Sequence, residues 1–318
     1  MKIVLALGGN ALQSDSKDTS VKAQLRNCRE TAKAIADIVE EGHTLAIVHG
    51  NGPQVGQILK TVNDAHTSDE ANPLYPIDVC GAFSQGYIGY HLQNTIQEEL
   101  RKRDIHKNVG TIVTQVEVDP DDPAFQNPTK PIGSFYTKEE AEKIMAKKSY
   151  IVMKEDAGRG YRRLLPSPRP VNIIEKDLIK DLVENDSIII SCGGGGIPVI
   201  QEGKGKKGIP AVIDKDFAAE KLAELIDADE LVILTAIDKV CINFNKPNQQ
   251  ELSEVTVEEL DRYTEEGQFA PGSMLPKVEA CKKFVTFDPN KKAIIASLEN
   301  AKEAIKGNTG TIIVNKKM

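Results

Sequence analysis

Lys215 and Lys277 each stand at the opening of a stretch with helical spacing, where a cation works against the helix dipole. Asp214-Lys215-Asp216 runs directly into the apolar-periodic segment from Phe217. Asp214 is a good N-cap, the ordinary structural use of an aspartate there, and Lys215 and Asp216 then fall in the first turn. Ala270-Pro271-Gly272-Ser273-Met274-Leu275-Pro276-Lys277 again turns the chain into a helix with a lysine at its start. Alone, either lysine reads as a solvated surface residue. Recurring together, with a carboxylate beside one of them, they suggest contacts to phosphate oxygens.

Gly8-Gly9-Asn10, Gly50-Asn51-Gly52-Pro53 and the run Gly193 to Gly196 each follow an apolar segment that reads as a buried strand. Glycine lets backbone N–H groups approach an anion, and a helix that follows adds the positive end of its dipole. Any one such loop is equally well a tight turn; the three together favour a phosphate cradle over plain turns. The chain lacks the spacing GxxxxGK[ST], so it is no P-loop nucleotide binder. Gly50 to Gly56 has the spacing GxGxxxG with Pro53 inside it, which is not the dinucleotide fingerprint. The chemistry this set would serve is phosphoryl transfer, in which positioning and charge stabilisation dominate.

The elements that must hold these residues follow from periodicity. Buried strands are expected at Lys2 to Leu7, Thr44 to Val48, Val109 to Val116, Ser187 to Ser191, Leu231 to Leu234, Ala293 to Ala296 and Thr311 to Val314. Helical spacing marks Val21 to Glu41, a segment from Gln54, Asp78 to Arg103, Phe217 to Ile226, Val257 to Glu266 and Met274 to Lys283, with the second lysine helix proper beginning at Lys277. This alternation predicts an α/β fold: a mostly parallel central sheet covered by helices on both faces, with loops at the strand ends converging on one edge. Seven of the sixteen prolines fall between Val118 and Pro170, a sixth of the chain. That segment reads as an insertion, with a helical patch at Lys138 to Lys147 and a strand near Tyr150 to Met153. A lobe boundary is expected in the glycine- and lysine-rich stretch Gly203 to Gly208.

With 318 residues, 40% apolar and 27% charged, the chain is an ordinary globular protein large enough for two lobes on one sheet. A net charge of −7 argues against nucleic acid or an anionic membrane as partner. Cys28, Cys80, Cys192, Cys241 and Cys281 are odd in number and form no CxxC pair, which points to reduced thiols and not to a disulfide or zinc framework. Met1 to Leu7 is too short for a secretory signal, and no apolar stretch nears the ~20 residues of a membrane span, so a cytoplasmic location is expected.

The strings ALGGNAL (Ala6 to Leu12), HGNGPQVG (His49 to Gly56), DAGRGYRR (Asp156 to Arg163), CGGGGIPV (Cys192 to Val199), AVIDKDFA (Ala211 to Ala218) and FAPGSMLPKVEA (Phe269 to Ala280) resemble carbamate kinases, a family of the amino-acid kinase fold group. The likeness covers nearly the whole chain in order, the proline-rich insertion included. It implies a three-layer αβα fold of amino-acid kinase type with a protruding subdomain at 118–170. The amino-terminal lobe would be 1–117 with 171–208, holding the acceptor, and the nucleotide lobe 209–318. The implied reaction is ATP + carbamate ⇌ ADP + carbamoyl phosphate, with Mg²⁺ on the nucleotide phosphates and no dedicated protein metal ligands. The family also implies a homodimer through the amino-terminal lobe, and ATP formation in arginine or agmatine breakdown.

By the same resemblance, Gly8, Gly9 and Asn10 with Gly50, Asn51 and Gly52 would supply donors around the transferred group. Lys215 and Lys277 would contact its oxygens, with Asp216 holding both lysines. Ala270, Gly272, Met274 and Pro276 would lie along the nucleotide with Lys215, Asp216 and Lys277. An insertion lysine, Lys130 in Pro128-Thr129-Lys130-Pro131, would close over carbamate, with Lys138 and Lys154 the other candidates in that segment. Two further functions stand beside this one: another kinase of the fold, similar to acetylglutamate kinase, or a nucleotide-binding regulator without catalysis.

Other residues read as structural. His49 at a strand end is expected to hydrogen-bond a neighbouring loop. Cys241 is a small buried hydrophobe by default. Arg159, Arg162, Arg163 and Arg169 are as well a solvated loop as an anion guide, and Glu258, Glu259, Glu265 and Glu266 read as a charged outer face.

Overall fold

Alternation within single strands sets the layers. In β1 (Lys2–Leu7), Ile3, Leu5 and Leu7 join one apolar cluster while Val4 and Ala6 join another, so both faces are buried. A computed structural model describes residues 1–12, 18, 20–147, 151–156 and 158–316, with the backbone alone at 10 and 134. After β1 come α1 (Val21–Glu40), β2 (Thr44–His49), α2 (Gly52–Ser68), α3 (Ile77–Lys102), β3 (Val109–Thr111) and β4 (Gln115–Val118). The insertion supplies β5 (Lys130–Tyr136), α4 (Lys138–Lys147), β6 (Val152–Glu155) and β7 (Tyr161–Leu165). Then follow β8 (Pro170–Ile173), α5 (Lys176–Glu184), β9 (Ile188–Ile190), β10 (Ile197–Glu202), β11 (Gly205–Gly208), α6 (Lys215–Leu225) and β12 (Glu230–Thr235). The chain ends with the short pair β13 (Cys241–Ile242) and β14 (Gln250–Glu251), then β15 (Glu254–Thr256), α7 (Val257–Glu265), α8 (Met274–Phe287), β16 (Lys292–Ser297), α9 (Ala301–Ile305) and β17 (Thr311–Val314).

Eight strands form the central sheet in the order β15-β17-β16-β12-β1-β2-β9-β3. Every neighbouring pair is parallel except β16 with β17. Helix α1, capped by Ser20 Oγ accepting from Ala23 N at 3.2 Å, lays Cys28, Ala32, Ile35 and Val39 on one face together with Leu92 and Ile96 of α3. On the other face, the alanines of α6 and Cys281 and Phe284 of α8 cover Val4, Ala6, Leu231 and Ile233. Each fully buried Ile or Leu here is worth about 1.5–3 kcal/mol relative to exposure.

The structure corrects three expectations. The strand expected at Val109 to Val116 is two strands in two sheets: β3 stays on β9, while β4 joins β8, β10 and β11 in a second, four-stranded sheet. The break lies at Thr114, whose N–H is taken by Gln85 Oε1 of α3 at 2.8 Å, so the ladder hands over to a side chain. The stretch Gly203 to Gly208, where the lobe boundary is expected, supplies the turn and second strand of the antiparallel hairpin of β10 with β11. Helix α8 begins at Met274, ahead of Lys277. Glu259 is no outer-face carboxylate: it closes a capping box, its Oε2 accepting from Thr256 N at 2.9 Å.

In the insertion, β5, β7 and β6 pair antiparallel, and Ile132 and Leu165 pack on Val55, Ile77 and Cys80, seating this small sheet over α2 and α3. Of the strand expected near Tyr150 to Met153, position 150 lies outside the described residues and the strand itself is β6.

Candidate active site

The loops after β1 and β2, the turn after β9 and the first turn of α6 meet at the carboxyl edge of the sheet, with Lys277 of α8 reaching in. They line a cavity of about 720 Å³, roofed by β5 of the insertion. Gly9, Gly50, Asn51, Gly52, Lys130, Lys215, Asp216 and Lys277 all face it. Gly8 does not: a Cβ there would sit 2.8 Å from the carbonyl oxygen of Leu234, so this glycine lets β1 end against β12. The backbone of Asn10 lies in the short 3₁₀ turn that follows β1. Ala270 and Gly272 are exposed and Met274 and Pro276 half-buried, in the loop and first turn of α8 outside the cavity lining.

Asp216 is the hub. Its Oδ2 receives Lys277 Nζ at 2.9 Å and its Oδ1 receives Lys215 Nζ. The carboxylate side chain is 3% exposed and the two lysines 12% and 13%. Burial pushes the Asp216 carboxyl up, but Lys215 and Lys277 outweigh it and hold the group below the ordinary carboxylate range. The lysine stem of Lys215 passes over Gly50, whose added Cβ would come within 3.4 Å of Lys215 Cδ. Asp214 does two things at once: Oδ1 caps α6 through Asp216 N at 3.0 Å, and Oδ2 receives Lys130 Nζ of β5 at 2.5 Å. Lys130 is therefore the insertion lysine that reaches the cavity; Lys138 is exposed beside Glu142, and Lys154 is exposed on β6.

The glycine run after β9 has a different use from the other loops. A Cβ at Gly194 (φ +67°) would fall 2.1 Å from the Asn51 amide nitrogen, and one at Gly195 (φ +91°) 2.1 Å from the Ile213 carbonyl oxygen. These glycines let the loops after β2 and before α6 close on each other, and Gly194 also faces the cavity. Asn51 is held from behind, its Nδ2 donating to Ser84 Oγ at 2.8 Å. Gln85 donates to the carbonyls of Thr114 and Gly193, both at 3.1 Å, tying α3 to that turn. Neither Ser84 nor Gln85 carried a signal, since both sit in an ordinary helical pattern.

His49 is fully buried, with Nδ1 donating to Gly50 O at 2.8 Å; burial pushes it down to about 4, so it is neutral and structural. Arg159 and Arg162 line the cavity mouth, their guanidinium carbons 4.8 and 5.0 Å from the Phe135 ring centre. Arg169 is no guide for anions: it lies 3.3 Å over Phe217 and pairs with Glu279 of α8 at 2.8 Å. The carboxylates that line the cavity, Asp214 and Asp216, are both taken by lysines. Among the described residues no group of three or more His, Cys, Asp or Glu is arranged to hold a metal ion, and no helix is long and apolar enough to cross a membrane.

Residues 1–297 match the model of the amino acid kinase family. The chain is 67% identical to carbamate kinase of Clostridium perfringens over 314 residues, covering 99% of this chain and 100% of that one. Carbamate kinase 1 of Enterococcus faecium is 54% identical over 299 residues, 94% of each chain. The solved structure of carbamate kinase from Giardia lamblia bound to AMP-PNP superposes with a TM-score of 0.93 at 41% identity, covering 99% of this chain and 98% of that one.

Proposed function

Because this chain belongs to the amino acid kinase family and, within it, to the carbamate kinases, we propose that its cavity catalyses ATP + carbamate ⇌ ADP + carbamoyl phosphate. In the forward direction a carbamate oxygen bonds to the γ-phosphorus as the bond to the ADP oxygen breaks. Carbamate is already an anion, so no general base is called for, and neutral His49 is free of that duty. The observation that carries the reading is the Lys215–Asp216–Lys277 cluster facing the loops after β1 and β2 across one cavity.

The loop backbones at Gly9 and Gly50 to Gly52 orient the acceptor and the moving phosphoryl group. Lys215 and Lys277 neutralise charge on its equatorial oxygens, and Asp216 fixes both ammonium groups before substrate arrives, so little reorganisation remains at the moment of transfer. Mg²⁺ would arrive on the nucleotide phosphates and supply further charge neutralisation there. The nucleotide itself would lie on the α6 and α8 side, and Lys130 would cover the acid from β5.

Lys130 bonds Asp214 in this structure with 32% of its side chain exposed. Such a contact exchanges readily for an anionic substrate. Lys130→Ala is expected to raise KM for carbamoyl phosphate about tenfold, about 1.4 kcal/mol, with KM for ADP within twofold and an unchanged melting temperature. An unchanged KM for carbamoyl phosphate would remove Lys130 from acceptor binding.

The homodimer belongs to the same proposal. What supports it is the apolar side chains left exposed at the start of and along α3: Leu74, Tyr75, Phe83 and Tyr90, exposed by 56%, 36%, 44% and 62%. Light scattering reporting a monomer would contradict it. A cytoplasmic setting is proposed with it, as is a place in arginine or agmatine breakdown. The decisive assay is ATP formation from ADP, Mg²⁺ and carbamoyl phosphate, with acetyl phosphate and acetylglutamyl phosphate as comparison donors. Activity with carbamoyl phosphate alone supports the reading, and activity with another donor alone overturns the acceptor. Silence with all three would leave a nucleotide-binding regulator.

A further inference from the structure

Helices α6 and α8 carry a second charged rung behind the catalytic one. Asp216 and Glu220 are four residues apart on α6, hence on one face with Cβ atoms about 6 Å apart. Glu220 is 0% exposed, and its Oε2 receives Lys283 Nζ of α8 at 2.7 Å. Lys283 also lies 3.7 Å from Glu224, which Lys221 pairs in turn. Around these rungs the two helices share an apolar cluster that includes Ala219, Ala223, Ala280 and Cys281, all 0% exposed. Small apolar contacts are non-directional and tolerate sliding of one helix along the other. A hydrogen bond from Lys283 to a buried carboxyl does not, since it is satisfied at one register only.

We propose that Glu220, through Lys283, is a positioning residue for phosphoryl transfer: it locks the axial register of α8 against α6 and so brings Lys277 to Asp216. This rests on the functional reading above. The alternative duty for the pair, plain stabilisation, fits poorly with the energetics of the site. Glu220 Oε1 is buried without a donor, an unfavourable arrangement for an ionised carboxylate. Burial first, and then the neighbouring Glu224 carboxylate, push the Glu220 carboxyl up to about 8. At neutral pH it therefore holds a proton, placed to donate to Glu224, while Lys283 stays on Oε2.

The charged groups that act on Glu220 are Lys221 and Glu224 of its own helix and Lys283 of α8; beside it lies Cys281 of α8, which Asp216, Lys215 and Lys277 also reach, and the strands beneath, β1 and β12, present the apolar Val4, Ala6, Leu231 and Ile233. Above pH 8 Glu220 ionises and adds a negative charge one turn behind Asp216. That charge draws on Lys215 and Lys277 in competition with phosphate, so nucleotide binding weakens and turnover falls as pH rises through this value. The folded-state value lies above the unfolded one, so the stability tied to the neutral acid is full below the ordinary glutamate range and is lost as pH rises to about 8.

The test uses the full chain, with kcat for ATP formation and the Kd of ADP by calorimetry followed from pH 6 to 9.5, and melting temperatures alongside. Lys283→Met, a change at a half-exposed lysine, and Glu220→Leu are each expected to lower kcat about tenfold while remaining folded. Glu220→Gln, which mimics the neutral acid, is expected to restore kcat to within about twofold at pH 7. It should also abolish the alkaline weakening of ADP binding near pH 8 and melt higher than the wild type by a margin that grows from pH 5 to pH 8. Wild-type kcat in folded Glu220→Leu and Lys283→Met, or an alkaline limb unchanged in Glu220→Gln, overturns the proposal. The ADP titration needs no turnover, so a wild type silent with carbamoyl phosphate would sink the functional reading and still leave this one judged by Kd.

Discussion

Alanine at Lys215 or Lys277 is expected to lower kcat for ATP formation by at least about 100-fold, about 2.7 kcal/mol or more, the scale of losing one preorganised donor to a developing oxyanion. Each ammonium sits on a carboxylate that is 3% exposed, so the pair of lysines is fixed in a weakly screened site where charge counts for more than in water. Removing one lysine leaves Asp216 still matched by the other, so the fold should survive and the loss should appear in kcat. An effect confined to KM would mean that the lysine binds ground state and transition state alike. Arginine is not expected to rescue either position, because its planar fork demands more room and a different geometry than a point-like ammonium. Turnover near that of the wild type in a folded variant would take that lysine out of the mechanism.

How much of this was readable beforehand depended on whether the signal was local. Asp214 as cap with Lys215 and Asp216 behind it is a matter of adjacent residue types, and α6 starts at Lys215 with that cap in place. The strands β1 and β2 are apolar runs ended by glycine, and both stand as read. What escaped is what only packing creates. The glycines after β9 answer to Asn51, Ile213 and Val116, residues far away in the chain. The apolar run from Val109 divides at Thr114 because Gln85 of α3 takes its N–H, which no periodicity within the run reveals. Glu220 and Lys283 look like the solvated charges of two amphipathic helices, yet one is fully buried and the other bonds it across the seam. Glu259 is the exception that was legible and overlooked: Thr256 three residues ahead of it is the pattern of a capping box.

Asp216→Asn carries the opposite expectation from the lysine variants, because it removes the counter-charge of two buried cations at once. Breaking a buried charged cluster from the shared partner should destabilise the protein by about 3 kcal/mol at pH 7. The sign of the pH dependence follows from the shift. Asp216 is held below the ordinary carboxylate range in the folded chain, so its stabilisation is complete above the unfolded value near 3.9 and is lost as pH falls through the folded one. The gap between wild type and Asn variant should therefore stay level from pH 6 to 8 and close only in acid. Nucleotide should reverse part of the deficit, since ADP phosphates supply the missing negative charge, and a ligand bound by the folded state alone raises its stability by mass action. The same logic splits the kinetics. With Lys215 and Lys277 left without their carboxylate, ground-state phosphate is gripped more tightly while the ammonium groups lose the positions that favour transfer, so Kd for ADP should fall and kcat should drop by at least about 100-fold. A variant as stable as the wild type at pH 7, binding ADP more weakly, would show that Asp216 is not what holds the two lysines ready.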